Sequence, residues 1–165
     1  PIFARHVKKN IKSKNIICVA PDVGGTERAR ALGKILDVEL AIVDKRRPKP
    51  GQSKVMNVIG NVKGKTCIIV DDIIDSGGTI VNAAKALKDR GAKEVYVYIT
   101  HGVLSGEAID KIKKSVIKKL VITDTIDNHD KINKAKNIEV LPISTLMGEA
   151  IKRISNSTSV SDLFK

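Results

Sequence analysis

Residues 66–79 have the sequence TCIIVDDIIDSGGT, and this stretch decides the fold class. Its first five residues are mostly aliphatic and predict a buried strand, which runs directly into two aspartates. A turn with two adjacent glycines follows, and residues 79–90 then carry apolar side chains at helical spacing. A buried strand that passes through a glycine turn into an amphipathic helix is typical of an α/β protein with a mostly parallel sheet.

The same alternation of strand and helix extends in both directions from this stretch. Strands are predicted at residues 16–20, 39–44, 55–59, 94–100, 120–123 and 138–141, and helices at residues 26–36 and 105–114. Ser144 is placed to cap a last helix with five apolar residues, Leu146, Met147, Ala150, Ile151 and Ile154. We therefore predict a single domain over residues 1–165, with helices on both faces of the sheet and ligands beyond the C-terminal ends of the strands.

The composition favours a phosphorylated small molecule as the partner. Lys and Arg total 30 against 18 Asp and Glu, and the formal net charge of +12 suits anionic ligands. The basic residues are scattered and form no nucleic-acid-binding motif, so we expect no nucleic acid to bind. Aromatic residues make up only 2% of the chain, which argues against a site that stacks a base on rings supplied by this chain alone.

The sequence also predicts a cytoplasmic protein that does not enter a membrane. No apolar run approaches the roughly 20 residues that a membrane-spanning helix needs, and residues 1–10 have no signal-peptide pattern. Cys18 and Cys67 both lie in apolar runs, which is typical of buried, reduced thiols. A CxxC pair and a His/Cys cluster are both absent from the sequence, so we expect no structural zinc.

The turn at residues 75–79 has the properties of a phosphate-binding loop. Gly77 and Gly78 allow a ligand to approach the backbone closely, and the helix that follows offers free N–H groups at its positive end. Ser76 and Thr79 add hydroxyl donors. The loop lacks both the GK[ST] of a Walker A motif and a GxGxxG fingerprint.

Asp71 and Asp72 directly precede this loop and suggest what the phosphate is attached to. Carboxylates repel a phosphate unless they bind sugar hydroxyls or a metal ion. Ribose 5-phosphate meets both requirements, with its phosphate in the loop and its hydroxyls at the acids. An ordinary strand-to-helix turn with surface acids is the alternative.

Two further segments follow predicted strands. Residues 21–26, PDVGGT, form a second glycine turn before a helix, in which Asp22 is a candidate ligand of Mg²⁺; a simple capped turn is the alternative. Residues 44–51, DKRRPKPG, place a basic cluster on a proline-rich loop, where the cations could hold the phosphates of a leaving group. A solvated charged turn is the alternative there.

These residues together resemble a known family. VDDIIDSGGT at residues 70–79 closely resembles the phosphoribosyl pyrophosphate loop of type I phosphoribosyltransferases and phosphoribosyl pyrophosphate synthetases. Residues 21–36, 44–72, 100–112 and 159–164 are similar to the synthetases in particular, in the same order along the chain. The resemblance implies a type I phosphoribosyltransferase-like fold and the C-terminal half of a ribose-phosphate pyrophosphokinase, a Mg²⁺-dependent transferase.

The resemblance also implies roles for individual residues. The loop for ribose 5-phosphate would comprise Asp71, Asp72, Asp75, Ser76, Gly77, Gly78 and Thr79. The loop for the transferred diphosphate would comprise Asp22, Val23, Gly24 and Gly25, with Asp22 as the metal ligand. Lys45 and Arg47 would be the catalytic cations. Ser159 and Ser161 would help to hold a regulatory phosphate, the alternative being a tail that docks through Leu163 and Phe164.

Finally, the resemblance implies substrates and an assembly. The family transfers the terminal diphosphate of ATP to ribose 5-phosphate, giving phosphoribosyl pyrophosphate and AMP, and its members form hexamers built from dimers. An N-terminal half that carries much of the ATP site is expected to be absent here, so we expect the isolated chain to fold without turning over. A type I phosphoribosyltransferase and a non-catalytic regulatory homologue remain as alternatives.

Overall fold

A computed structural model describes residues 1–46, 55–133 and 135–164, with the main chain alone at residues 45, 46, 55 and 164. The described elements, in chain order, are α1 (Ile2–Asn10), β1 (Ile16–Ala20), α2 (Thr26–Leu36), β2 (Leu40–Arg46), β3 (Val55–Ile59), β4 (Thr66–Ile74), α3 (Gly78–Asp89), β5 (Glu94–Gly102), α4 (Ala108–Lys113), β6 (Lys119–Thr123), α5 (His129–Ile132), β7 (Ile138–Leu141), α6 (Ser144–Ser155) and a final 3₁₀ turn (Ser161–Phe164).

The strands form one sheet in the order β3-β2-β1-β4-β5-β6-β7. All neighbouring pairs are parallel except β2 and β3, which are antiparallel. The order along the chain reverses between β1 and β4, because the chain first builds outward through β2 and β3 and then returns to the other side of β1. The prediction of a mostly parallel sheet is confirmed, and this reversal is where such folds bind ligands.

Hydrophobic residues are buried on both faces of the sheet. On one face, Ile17, Cys67 and Val97 pack with side chains of α3 and α4. On the other face, Cys18, Ile68 and Tyr98 pack with side chains of α1 and α2. Successive residues of each strand therefore enter different cores, as strand geometry requires. The prediction of helices on both faces is confirmed.

The two cysteines belong to these opposite cores. Cys18 and Cys67 are both 0% exposed, and β1 pairs with β4 so that Ile17 lies opposite Cys67. Cys18 therefore points to the face opposite that of Cys67, and the two thiols are free. Burial raises the pKa of each thiol to about 12. The prediction of buried thiols is confirmed.

Three strands extend beyond their predicted ends. β4 continues to Ile74, so Asp71 and Asp72 lie on the strand and not in the loop that follows it. β2 continues to Arg46 through pairing with β3, so the first residues of the basic cluster are also on a strand. β5 continues to Gly102 because β4 pairs with it along this extension. Backbone pairing with a neighbouring strand outweighs the polar character of these residues.

The terminal helices differ most from expectation. The sequence pattern did not predict α1, which buries Ala4 and Val7 against the sheet. Ser144 makes no capping hydrogen bond; Asp124 Oδ1 instead accepts one from the Ile143 N–H at 2.9 Å. The apolar face of α6 is largely exposed, with Ile151 at 63% and Ile154 at 67%. Within the described ranges, no helix is long and apolar enough to span a membrane.

Candidate functional site

The site lies where the order of the strands reverses. Because β1 and β4 are parallel neighbours, the loops that follow them meet at the same edge of the sheet. They enclose a cavity of about 230 Å³. Its lining residues are Asp22, Asp71, Ile73, Ile74, Asp75, Ser76, Gly77, Gly78, Thr79 and Ile80. The cavity thus brings Asp22, from the loop predicted for the diphosphate, together with the residues predicted to bind ribose 5-phosphate. Asp72 is the exception among those residues, because it does not line the cavity.

The loop after β4 can accept an anion through its backbone. Gly77 has a φ of 75°, in the left-handed region that favours glycine, and it is the residue that caps α3. No side chain caps this helix in the part of the chain that the structure describes. The N–H groups of the first turn of α3 therefore have no side-chain acceptor and stand beside the cavity, in a positive dipole field.

The two acids at the end of β4 are held by one arginine. Arg28 Nη1 donates to Asp71 Oδ1 and Nη2 donates to Asp72 Oδ2, each at 2.6 Å. Asp71 Oδ1 also accepts from the Asp72 N–H at 3.0 Å. Burial raises the pKa of Asp71, an effect that the Asp72 N–H and Arg28 partly offset. The sequence interpretation missed Arg28, although its position in the first turn of α2 is a local signal for this edge of the sheet.

The loop after β1 is closed by its own acid. Asp22 Oδ1 accepts a hydrogen bond from the Gly25 N–H at 2.9 Å. A Cβ at Gly24 would lie 3.3 Å from that same oxygen, and one at Gly25 would lie 3.3 Å from Pro21 Cδ, so the turn has little room for larger residues. Val23, by contrast, is largely exposed. The glycine turn is therefore compact, with the Asp22 carboxylate at the cavity wall.

The acids present are compatible with Mg²⁺ when a phosphate ligand shares it. Among the described residues, no three His, Cys, Asp or Glu side chains form a metal-binding group. Mg²⁺ usually takes only one or two carboxylates from a protein and completes its shell with water and phosphate oxygens. Asp22 and Asp71 line one cavity and so fit such a shared site.

A larger cavity, of about 540 Å³, continues from the loop along α3. It shares Ser76, Gly78 and Thr79 with the first cavity and is also lined by Met56, Asn82, Lys85, Ala86, Asp89 and Arg90. The side chain of Arg90 reaches Asn57 on β3, with Nη2 donating to Oδ1 at 3.3 Å. Asn82 and Lys85 were not predicted. They follow Thr79 on α3 at successive intervals of three residues, a spacing along one helix face that could have identified them.

The remaining predicted residues lie elsewhere or outside the described part of the chain. The main chain of Lys45 pairs with Met56 near the end of β2, and Arg47 lies outside the described residues. In the tail, the hydroxyl oxygens of Ser159 and Ser161 are exposed and 2.8 Å apart. Arg153 of α6 holds this tail by donating to the Ser159 carbonyl at 2.8 Å.

The fold and the two glycine loops define a phosphoribosyltransferase-like α/β domain. A family model described as "Phosphoribosyl synthetase-associated domain" matches residues 45–165. The chain belongs to this family.

A ribose-phosphate pyrophosphokinase from Hyphomonas neptunium is 57% identical to the chain, over 99% of the chain and 53% of the relative. The structure of the phosphoribosylpyrophosphate synthetase from Mycobacterium smegmatis superposes with a TM-score of 0.84 at 30% identity, over 94% of this chain and 50% of that one. The chain thus spans about half the length of the relatives it matches. An adenine phosphoribosyltransferase from Saccharomyces cerevisiae shares the fold, with a TM-score of 0.55 at 20% identity over 67% of this chain and 70% of that one.

Proposed function

We propose that this chain binds ribose 5-phosphate and takes part in the transfer of diphosphate from ATP to that sugar, which yields phosphoribosyl pyrophosphate and AMP. The observation that carries the proposal is the shared cavity of Asp22, Asp71 and the glycine loop at residues 75–79. An anion-accepting loop beside two carboxylates suits a ligand with one phosphate and several hydroxyls. The names of the relatives point to the same chemistry.

Each group of residues contacts a different part of the proposed ligands. The backbone of Ser76, Gly77, Gly78 and Thr79 holds the 5-phosphate at the start of α3. Asp71, with Asp72 beside it, accepts hydrogen bonds from the sugar hydroxyls. Asp22 and the turn that it closes face the transferred diphosphate. Mg²⁺, when bound at Asp22 and Asp71, supplies neutralisation of the phosphate charge.

Lys45 and Arg47 are proposed as the cations that stabilise charge on the transferring group. In a full-length relative, replacing either equivalent residue with Ala should lower kcat by about a hundredfold or more with little change in Tm. Unchanged kcat in both variants would remove these residues from the mechanism.

The adenine of ATP is proposed to bind to the part of the relatives' length that this chain does not span, since the chain itself has only 2% aromatic residues. The working assembly is proposed to be a cytoplasmic hexamer.

Ser159 and Ser161 are proposed to contact a regulatory phosphate, because their exposed hydroxyls are adjacent. The test is a full-length relative that carries the changes equivalent to both Ser159→Ala and Ser161→Ala. If phosphate still activates this double variant, the tail has only a docking role.

The first test is calorimetric titration of the purified chain with ribose 5-phosphate. We expect saturable binding, weakened at least tenfold by Asp71→Asn because a charge-assisted hydrogen bond is lost. Glu94→Gln is the matched control: it removes a carboxylate at the start of β5, at the opposite end of the sheet. Absence of binding, or equal losses in the two variants, would refute the proposal. The isolated chain should release no AMP from ATP and ribose 5-phosphate.

A further inference from the structure

Arg28 of α2 contacts both acids at the end of β4, and the proposed function above assigns it no role. Its guanidinium donates through separate nitrogens to two different carboxylates, those of Asp71 and Asp72. It lies three residues beyond Gly25, in the first turn of the helix that begins at the diphosphate loop. One side chain therefore ties the loop after β1 to the acids at the end of β4.

The geometry of a strand makes this contact informative. Neighbouring residues of a strand point to opposite faces, so Asp71 and Asp72 would ordinarily diverge. A planar guanidinium has a rigid fork of donors that can fix two acceptors at once, whereas an ammonium group offers a single charge. Because Arg28 reaches both acids, it sets their directions relative to each other and to the cavity.

Exposure shows which role of this contact dominates. The side chain of Arg28 is 37% exposed and that of Asp72 is 55% exposed, so water screens much of their attraction. An ion pair of this kind contributes little to the stability of the fold. Its larger effect is on orientation, because Asp71 is only 17% exposed and lines the ligand cavity.

We propose that Arg28 is a positioning residue that aims Asp71, with Asp72 as the second anchor of its guanidinium, at the ribose hydroxyls, so that it controls the preference for ribose over 2-deoxyribose. This inference rests on the proposed function, since it presumes that the cavity holds a pentose phosphate. Arg28 itself acts through the two acids. Without it, the carboxylates lose their common anchor and the hydroxyl contacts lose their alignment.

The test compares the affinities of the purified chain for ribose 5-phosphate and 2-deoxyribose 5-phosphate. The two ligands carry the same charge, so the ratio of their dissociation constants cancels the general electrostatic effect of removing a cation. We expect the unmodified chain to prefer ribose 5-phosphate about tenfold or more, the effect of one charge-assisted hydrogen bond. Arg28→Ala should bring the ratio close to one, and Arg28→Lys should give an intermediate value.

Arg30→Ala is the matched control, because Arg30 is an exposed arginine on the same helix. It should keep the ratio of the unmodified chain. The inference is overturned if Arg28→Ala, or Arg28→Lys should the alanine variant not fold, retains the full preference. It is also overturned if the unmodified chain binds both sugars equally. Failure of the unmodified chain to bind either sugar would instead overturn the proposed function, and this inference with it.

Discussion

His6 Nε2 lies 3.0 Å from Glu139 Oε1, although 133 residues separate the two in the chain. The other ring nitrogen of His6 lies 3.0 Å from the hydroxyl of Tyr98, and Lys119 Nζ donates to Glu139 Oε2 at 2.8 Å. This chain of polar contacts fastens α1 to β5, β6 and β7. The first helix is thus held in place by specific partners as well as by its apolar residues.

We expect Glu139→Gln to lower the free energy of unfolding at pH 7 by about 1 kcal/mol, because charge-assisted hydrogen bonds are lost at a partly screened site. The Lys119 hydrogen bond and, to a lesser extent, that of His6 hold the pKa of Glu139 below its usual value. The native state therefore favours the ionised form. The contribution of ionised Glu139 to the free energy of unfolding is complete above the unfolded-state pKa of about 4.3, and it is lost as the pH falls through the lower pKa of the native state.

Urea denaturation at pH 7 and at several values below pH 4.3 measures this effect. The difference between the unmodified chain and Glu139→Gln should shrink as the pH falls. Glu107→Gln, which changes an exposed acid, is the control and should show little difference at any pH. A difference that stays constant with pH would contradict the assignment to the ionised carboxylate.

A second prediction separates backbone strain from ligand binding. Gly77 and Gly64 have similar φ values, 75° and 71°, so replacing either with Ala imposes a similar left-handed strain of about 1–2 kcal/mol. Of the two glycines, only Gly77 lies in the phosphate-binding loop at residues 75–79. There, relief of the strain would turn the backbone N–H groups at the start of α3 away from the cavity. Titration should show that Gly77→Ala loses most affinity for ribose 5-phosphate while Gly64→Ala keeps it. Equal affinity in the two variants would argue against a backbone-held phosphate.

A third prediction concerns packing between β5 and β6. A Cβ at Gly102 would lie 2.8 Å from Ile122 Cδ1 and 3.2 Å from its Cγ2, and Ile122 is fully buried. Gly102→Ala should therefore destabilise the fold by about 1–3 kcal/mol through overpacking. Gly148→Ala, on α6 with nothing within 4 Å of the new Cβ, should instead stabilise it by about 0.5–1 kcal/mol. Thermal melts of the two variants should shift in opposite directions.

A fourth prediction concerns the thiols. Both cysteines are fully buried, and burial raises the pKa of each to about 12, so almost no thiolate forms at pH 8. Iodoacetamide should label neither residue in the native chain and both in urea. Mass spectrometry of partly labelled samples follows the reaction. Labelling of the native chain much faster than its unfolding would show that one of the cores opens locally.

Local patterns were sufficient for much of the fold. β1, α2, β3 and β7 occupy the residues predicted for them, because each is an apolar run or an amphipathic stretch bounded by turn residues. The ends of β2, β4 and β5 were predicted too early, since pairing with a neighbouring strand carries a strand through polar residues. The sequence pattern did not predict α1, because only two of its residues, Ala4 and Val7, are buried and they lie among basic residues.

The sequence by itself determined the type of ligand loop, because a glycine turn between a buried strand and a helix is a local arrangement with a local chemistry. Only the tertiary structure decided which loops share a cavity. Asp22 and Asp71 meet because β1 and β4 are neighbours at the reversal of strand order, a pairing between distant segments that no local periodicity encodes. Arg28 joins the acids for the same reason: its reach across 43 residues of sequence exists only once the two strands lie side by side.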